Sequence, residues 1–162
     1  MNSTDIANSL ADTARAATHL SGQLGRLNDS GTIPFPLTAE ILNKWGDAEQ
    51  QRLYAFLYLF EQLQELVTRR MLRGILALQS EDVIAMSARD VANMSEKLGI
   101  IESADVWKSL VDIRNLLAHD YPMDLEAQAA RANKAWTAVP DLQGQTRSTI
   151  AYIEREGLLN PS

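Results

Sequence analysis

A long helix-forming run from Asp47 to about Leu78 does most to constrain this chain. Asp47 is placed to cap its start, with Gln50 three residues on completing a capping box. Leu53, Tyr54, Phe56, Leu57, Tyr58, Leu59 and Phe60 make its first half apolar on nearly every side, as expected of a central helix touched by several neighbours. The rest of the sequence must supply those neighbours.

Upstream, Ile6, Leu10, Ala14, Ala17, Leu20, Leu24 and Leu27 recur at three- and four-residue steps, which predicts an amphipathic helix over Thr4 to Leu27. Residues 28–36 gather turn formers and two prolines and read as a loop, with a short helical turn expected from Thr38 to Trp45. Ser87 with Asp90 forms a second capping box, and Gly99 supplies a stop, so Ala88 to Leu98 is a further helix. Another begins at Ser103 and must end by about Asp120 or Tyr121, because Pro122 follows. A fifth segment starts near Asp124 and is Ala-rich to Thr137, and Pro140 and Gly144 are expected to break or kink it before Ile150 and Ile153.

No strand-like alternation and no internal repeat intervenes. The expected architecture is all-α, an antiparallel up-and-down bundle of four to five helices forming one domain over residues 1–162.

The 162 residues include no cysteine, which removes disulfides, thiolate metal sites and a cysteine nucleophile. With 46% hydrophobic and 22% charged residues, the composition is that of an ordinary globular chain. No basic leader followed by an apolar run opens the sequence, so a cytoplasmic protein is expected. Glu61, Gln62, Gln64 and Glu65 interrupt the apolar stretch well before a membrane span of about 20 residues could accumulate. A formal charge of −6 argues against nonspecific coating of nucleic acid, while leaving room for one local basic site.

The candidate chemistry lies at the end of the fourth long helix, in Arg114-Asn115-Leu116-Leu117-Ala118-His119-Asp120-Tyr121. At about 100° per residue, Val106, Leu110, Ile113 and Leu117 form the expected core stripe, with Leu116 on one flank and Trp107, Val111 and Ala118 on the other. Arg114 falls inside this wide apolar arc. Burial of a guanidinium is costly, so either it snorkels outward or an anionic partner meets it. Asn115 and His119, four residues apart, share the polar side. Arg114 and His119 are about 140° apart and would not touch.

A two-fold dimer packing this helix against its copy would instead gather two arginines and two histidines in one cleft. His exchanges protons near neutrality, and Arg pairs with phosphate while staying charged. Together they suffice for metal-free RNA cleavage, with His119 as general acid or base and Arg114 stabilising the transition state. Asn115 and Asp120 would orient the imidazole or the substrate.

The segment from Ser87 through Leu98-Gly99-Ile100-Ile101 to Tyr121 resembles the HepT-like branch of the HEPN superfamily, whose motif is Arg, four residues, His, one residue and Tyr. Arg114, His119 and Tyr121 fit it without a gap, and the resemblance covers roughly residues 87 to 126. It implies a helical homodimer acting as a ribonuclease toxin without metal or cofactor. It also implies a partner, an MNT-type nucleotidyltransferase antitoxin, which in some members adds AMP to the motif tyrosine, here Tyr121. Other relatives are non-catalytic helical subunits that bind a nucleotidyltransferase. The Pro-containing loop at residues 28–37 and the break at Pro140 depart from the family pattern.

Other features read as structural. Arg69, Arg70 and Arg73 form a basic cluster that could hold RNA phosphates, but near a helix end a solvated, dipole-complementing role is expected. Glu61 and Glu65 lack the neighbouring His of a bundle di-metal site and read as a solvated face. His19 reads as a surface or satisfied core residue, and Trp45, Trp107 and Trp136 as core or interface anchors.

Overall fold

The computed structural model describes residues 2–79, 82–119 and 121–159. Among them are seven α-helices, α1 (Ser3–Asp29), α2 (Ala39–Asn43), α3 (Asp47–Glu65), α4 (Leu72–Leu78), α5 (Ala88–Lys97), α6 (Ala104–Ala118) and α7 (Leu125–Arg155), and no strand. The chain is an all-α helical bundle. No helix among the described residues is long and apolar enough to cross a membrane.

The expected run from Asp47 to Leu78 is one continuous rod, yet its middle, Leu66–Met71, is wound as a π-helix between α3 and α4. The start also differs from expectation. Gly46 is the cap, and its backbone N–H donates to the Glu49 carboxylate at 3.1 Å. Asp47 therefore sits inside the first turn, where its charge complements the helix dipole.

The core gathers around this rod. Phe56, Phe60, Leu63, Met71, Leu72, Ile75 and Leu76 are all fully buried, against α1 on one side and α7 on another. Each such side chain removed from water contributes about 1.5–3 kcal/mol, which is why short helices of middling propensity hold together here. Tyr54 and Tyr58 face outward, so the rod is less enclosed than its composition suggests.

The loop after α1 is pinned. Phe35 stacks on Trp136 with centroids 5.3 Å apart and tilts against Phe56 at 5.0 Å, while Asn133 exchanges two hydrogen bonds with the Leu37 backbone. At the end of α5, Gly99 takes φ +78°, the left-handed conformation that closes the helix. The following Ile100 N–H returns to the Ser95 carbonyl at 2.8 Å, and Ile100 and Ile101 enter the core. Short connections before and after α6 fold α5 onto α6 and α6 onto α7.

The expected break at Pro140 does not occur, and α7 runs through it. Ala132, Ala135, Ala138, Val139 and Leu142 keep an unbroken buried stripe across the site, and Pro140 itself lies on the exposed face. Gly144 likewise lies within the helix.

Candidate functional site

Helix α6 begins at Ser103, whose hydroxyl accepts from the Val106 N–H, and ends at Ala118. Its inward face is rotated from the expected stripe. Trp107, Leu110 and Leu117 are buried, whereas Val106 and Ile113 are only partly so. On the helical wheel Arg114 lies about 20° from Trp107, so it faces inward with it. That is why the guanidinium meets a partner: Nη2 pairs with Glu65 Oε2 at 3.0 Å, both side chains being under a third exposed (29% and 28%). Its Nη1 also donates to Asn115 Oδ1 at 3.3 Å.

Glu65 carries a second arginine. Arg69, one turn on and within the π segment, donates from Nε to Oε1 at 3.0 Å, so each carboxylate oxygen holds one guanidinium. Glu61 and Glu65 are thus half-buried parts of the helix packing and not a solvated face. Glu61 is held above the usual carboxylate range by burial, while the charges of Arg114 and Arg131 pull the other way. The expectation for the arginine cluster also changes. Arg73 lies inside the rod and donates to the Val83 and Met86 carbonyls at 2.9 and 3.4 Å, tying down the chain before α5.

Between the π segment, α5 and α6 lies a cavity of about 210 Å³, with Thr68, Arg69 and Arg73 on one side and Arg114 and Asn115 on the other. Val91, Val111 and Trp107 supply its apolar lining. Gln64 is buried there and donates to the Thr68 hydroxyl at 2.9 Å. The Trp107 indole N–H is buried with no acceptor among the described residues. An unmet buried donor costs about 1–3 kcal/mol.

The remaining motif residues lie elsewhere. His119 caps α6 with an extended backbone and is exposed. Among the described residues no hydrogen bond joins it to Arg114, as the helical spacing led one to expect. Asp120 lies outside the described residues. Tyr121 packs on α3 and α7, edge-on to Tyr54 with centroids 5.7 Å apart and beneath the Arg131 guanidinium at 5.0 Å. Its hydroxyl accepts from Tyr54 at 3.4 Å and donates to Gln128 at 3.0 Å. Burial first, then the hydrogen bond and charge of Tyr54, push its pKa up to about 12, against an opposing pull from Arg131. Gln128 is itself anchored on the Pro122 carbonyl at 2.7 Å, and Arg131, almost fully buried, donates to the Leu117 carbonyl at 3.3 Å.

Sequence reasoning missed Glu65, Arg131, Gln128 and Tyr54 as members of the site. For Glu65 a signal existed, since an inward Arg114 requires a nearby anion and the central helix offers Glu61 and Glu65. Nothing comparable marks Arg131 or Gln128. Among the described residues no group of three or more His, Cys, Asp or Glu is placed to hold a metal ion. His19 is exposed, and Trp107 and Trp136 are packing residues, as expected.

Comparison with protein-family models, with curated proteins and with solved structures finds no match to this chain. The motif and its surroundings therefore carry the functional argument by themselves.

Proposed function

We propose that this chain is a HEPN-like endoribonuclease toxin acting as a homodimer in the cytoplasm, with Arg114 and His119 as the catalytic residues. One observation carries the reading: a half-buried arginine oriented by a carboxylate and, at the end of the same helix, an exposed histidine beside uncovered apolar side chains. Leu116, Tyr121 and Met123 are exposed large hydrophobics within a few residues of His119. Such a patch suits a surface that packs against a second copy, where a two-fold axis doubles each functional group.

In the paired site the ribose 2′-oxygen attacks the adjacent phosphorus and the 5′-oxygen leaves. One His119 takes the 2′-hydroxyl proton, the other returns a proton to the leaving oxygen, and Arg114 meets the charge that builds on the phosphoryl oxygens. Asn115 positions Arg114 through its side-chain carbonyl, a more specific role than orienting the imidazole or the substrate. The step needs no cofactor.

The resemblance also assigns an MNT-type nucleotidyltransferase antitoxin as partner and Tyr121 as its AMP acceptor. Transfer would form a bond from the Tyr121 oxygen to the α-phosphorus of ATP, with pyrophosphate leaving and the phenol proton passing to a base on the partner. A phenol with its pKa at about 12 does not ionise unaided near neutrality, so that base is required.

A second reading, a non-catalytic subunit that binds a nucleotidyltransferase, draws support from the same Arg114–Glu65 pair, which already satisfies the guanidinium. Induction of wild type, Arg114→Ala and His119→Ala in a bacterial host separates the two. Growth arrest and RNA fragmentation by the wild type alone support the nuclease. Intact RNA with all three folded proteins favours the binding subunit.

A further inference from the structure

His119 is not among the residues that line the cavity between the π segment, α5 and α6. The cavity is lined by three arginines, Arg69, Arg73 and Arg114, against one carboxylate, Glu65. That leaves an excess of positive charge at one place in a chain whose formal charge is −6. Arg73 spends its donors on two backbone carbonyls, which satisfies hydrogen bonds without neutralising its charge. Glu65 offers one negative charge to two guanidiniums, one on each oxygen.

We propose that the cavity is a subsite for a phosphate group and that Glu65 is its internal stand-in. A phosphate ester presents more oxygens than a carboxylate to the same Arg69 and Arg114 donors, and guanidinium geometry matches both anions. Thr68 and Asn115 add neutral polar groups at the rim. The volume, about 210 Å³, is below the ~300–1,000 Å³ typical of pockets that enclose a whole small-molecule ligand, so a phosphate enters while the rest of its molecule stays outside. Glu65 need only swing outward, and it borders solvent already.

The subsite shares Arg114 with the ribonuclease reading but fails or stands separately from it, because phosphate can bind whether or not RNA is cut. The experiment is isothermal titration of the full chain with inorganic phosphate, with AMP, and with a 2′-O-methyl oligoribonucleotide that cannot be cleaved. Wild type, Arg69→Ala, Glu65→Gln and His119→Ala are compared, with circular dichroism to confirm folding.

Wild type binds phosphate-bearing probes. Glu65→Gln, freed of the internal competitor, binds about three- to fivefold more tightly. Arg69→Ala, whose side chain is 67% exposed, binds about tenfold more weakly. His119→Ala binds as wild type does. Binding of AMP and phosphate identifies a free nucleotide as the source, and binding of the oligonucleotide alone identifies the RNA backbone. Absence of binding to folded wild type and Glu65→Gln alike overturns the proposal, as does binding indifferent to Arg69→Ala. Absence of RNA cleavage by the wild type, with phosphate binding retained, would sink the nuclease and leave the subsite.

Discussion

The central rod presents two faces built on opposite rules. Around Phe56, Phe60 and Leu63 it is dry: all three are fully buried and carry no polar atoms to satisfy. Towards the end of α6 it is wet and charged, with Tyr54 on Tyr121, Glu61 in the field of Arg114 and Arg131, and Glu65 on Arg114. The dry face is stabilised by area and shape, which many side-chain combinations provide. The polar face depends on particular partners at particular angles. Stability should therefore concentrate on the first and chemical sensitivity on the second.

The largest effect is expected from Phe60→Ala, which empties a fully buried position and costs about 3–5 kcal/mol, read as a fall in the denaturation midpoint at unchanged slope. A cost below that of any polar-face variant would break the contrast. Next comes Arg131→Ala. It removes the donor to the Leu117 carbonyl and the cation over Tyr121, for about 1–3 kcal/mol by chemical denaturation.

Tyr54→Phe has little effect on stability but a clear effect on titration. With the Tyr54 hydroxyl gone, Tyr121 should ionise below about 12 while staying above 10.0, because burial, the largest cause, remains. Absorbance of the phenolate, with Tyr121→Phe as the blank, measures this. The unfolded chain releases this proton near 10.0 and the folded chain near 12, so the wild type loses stability as pH rises between them, and Tyr54→Phe loses less.

Glu61→Gln is the smallest. Burial holds the Glu61 carboxyl above its ordinary 4.5, so its charged form opposes folding at neutral pH and its protonated form does not. The variant should melt slightly higher than wild type at pH 7, and the difference should close as pH falls through the raised pKa. A gap that widens on acidification would mean that the attraction of Arg114 and Arg131 outweighs burial.

Legibility divides along the same line. Periodicity and caps revealed α1, α5, α6 and the central rod because burial repeats with the helix period, and Ser87 with Asp90 caps α5 as read. Pro140 misled because propensity is local, whereas the buried stripe of α7 is a property of the packed bundle. At the site, the place of Arg114 within an apolar arc was readable from one helix, which left outward snorkelling or a counter-charge as the two outcomes, and the structure shows the second. The partners of Tyr121 were not: Tyr54 lies 67 residues away, and no local pattern in the chain couples it to the motif.

The π-wound turn has a further consequence. Along the rod the buried apolar positions run Leu53, Phe56, Leu57, Phe60, Leu63 and Val67, then resume at Met71, Leu72, Ile75 and Leu76. At about 100° per residue the second set leads the first by nearly one position, as though a single residue had been inserted between them. The wide turn absorbs that surplus, so the helix on either side keeps its seat in the core. A one-residue deletion within Leu66–Met71 would then restore ordinary winding with both apolar sets still in register. What it would change is the π-wound backbone from which Thr68 and Arg69 line the cavity.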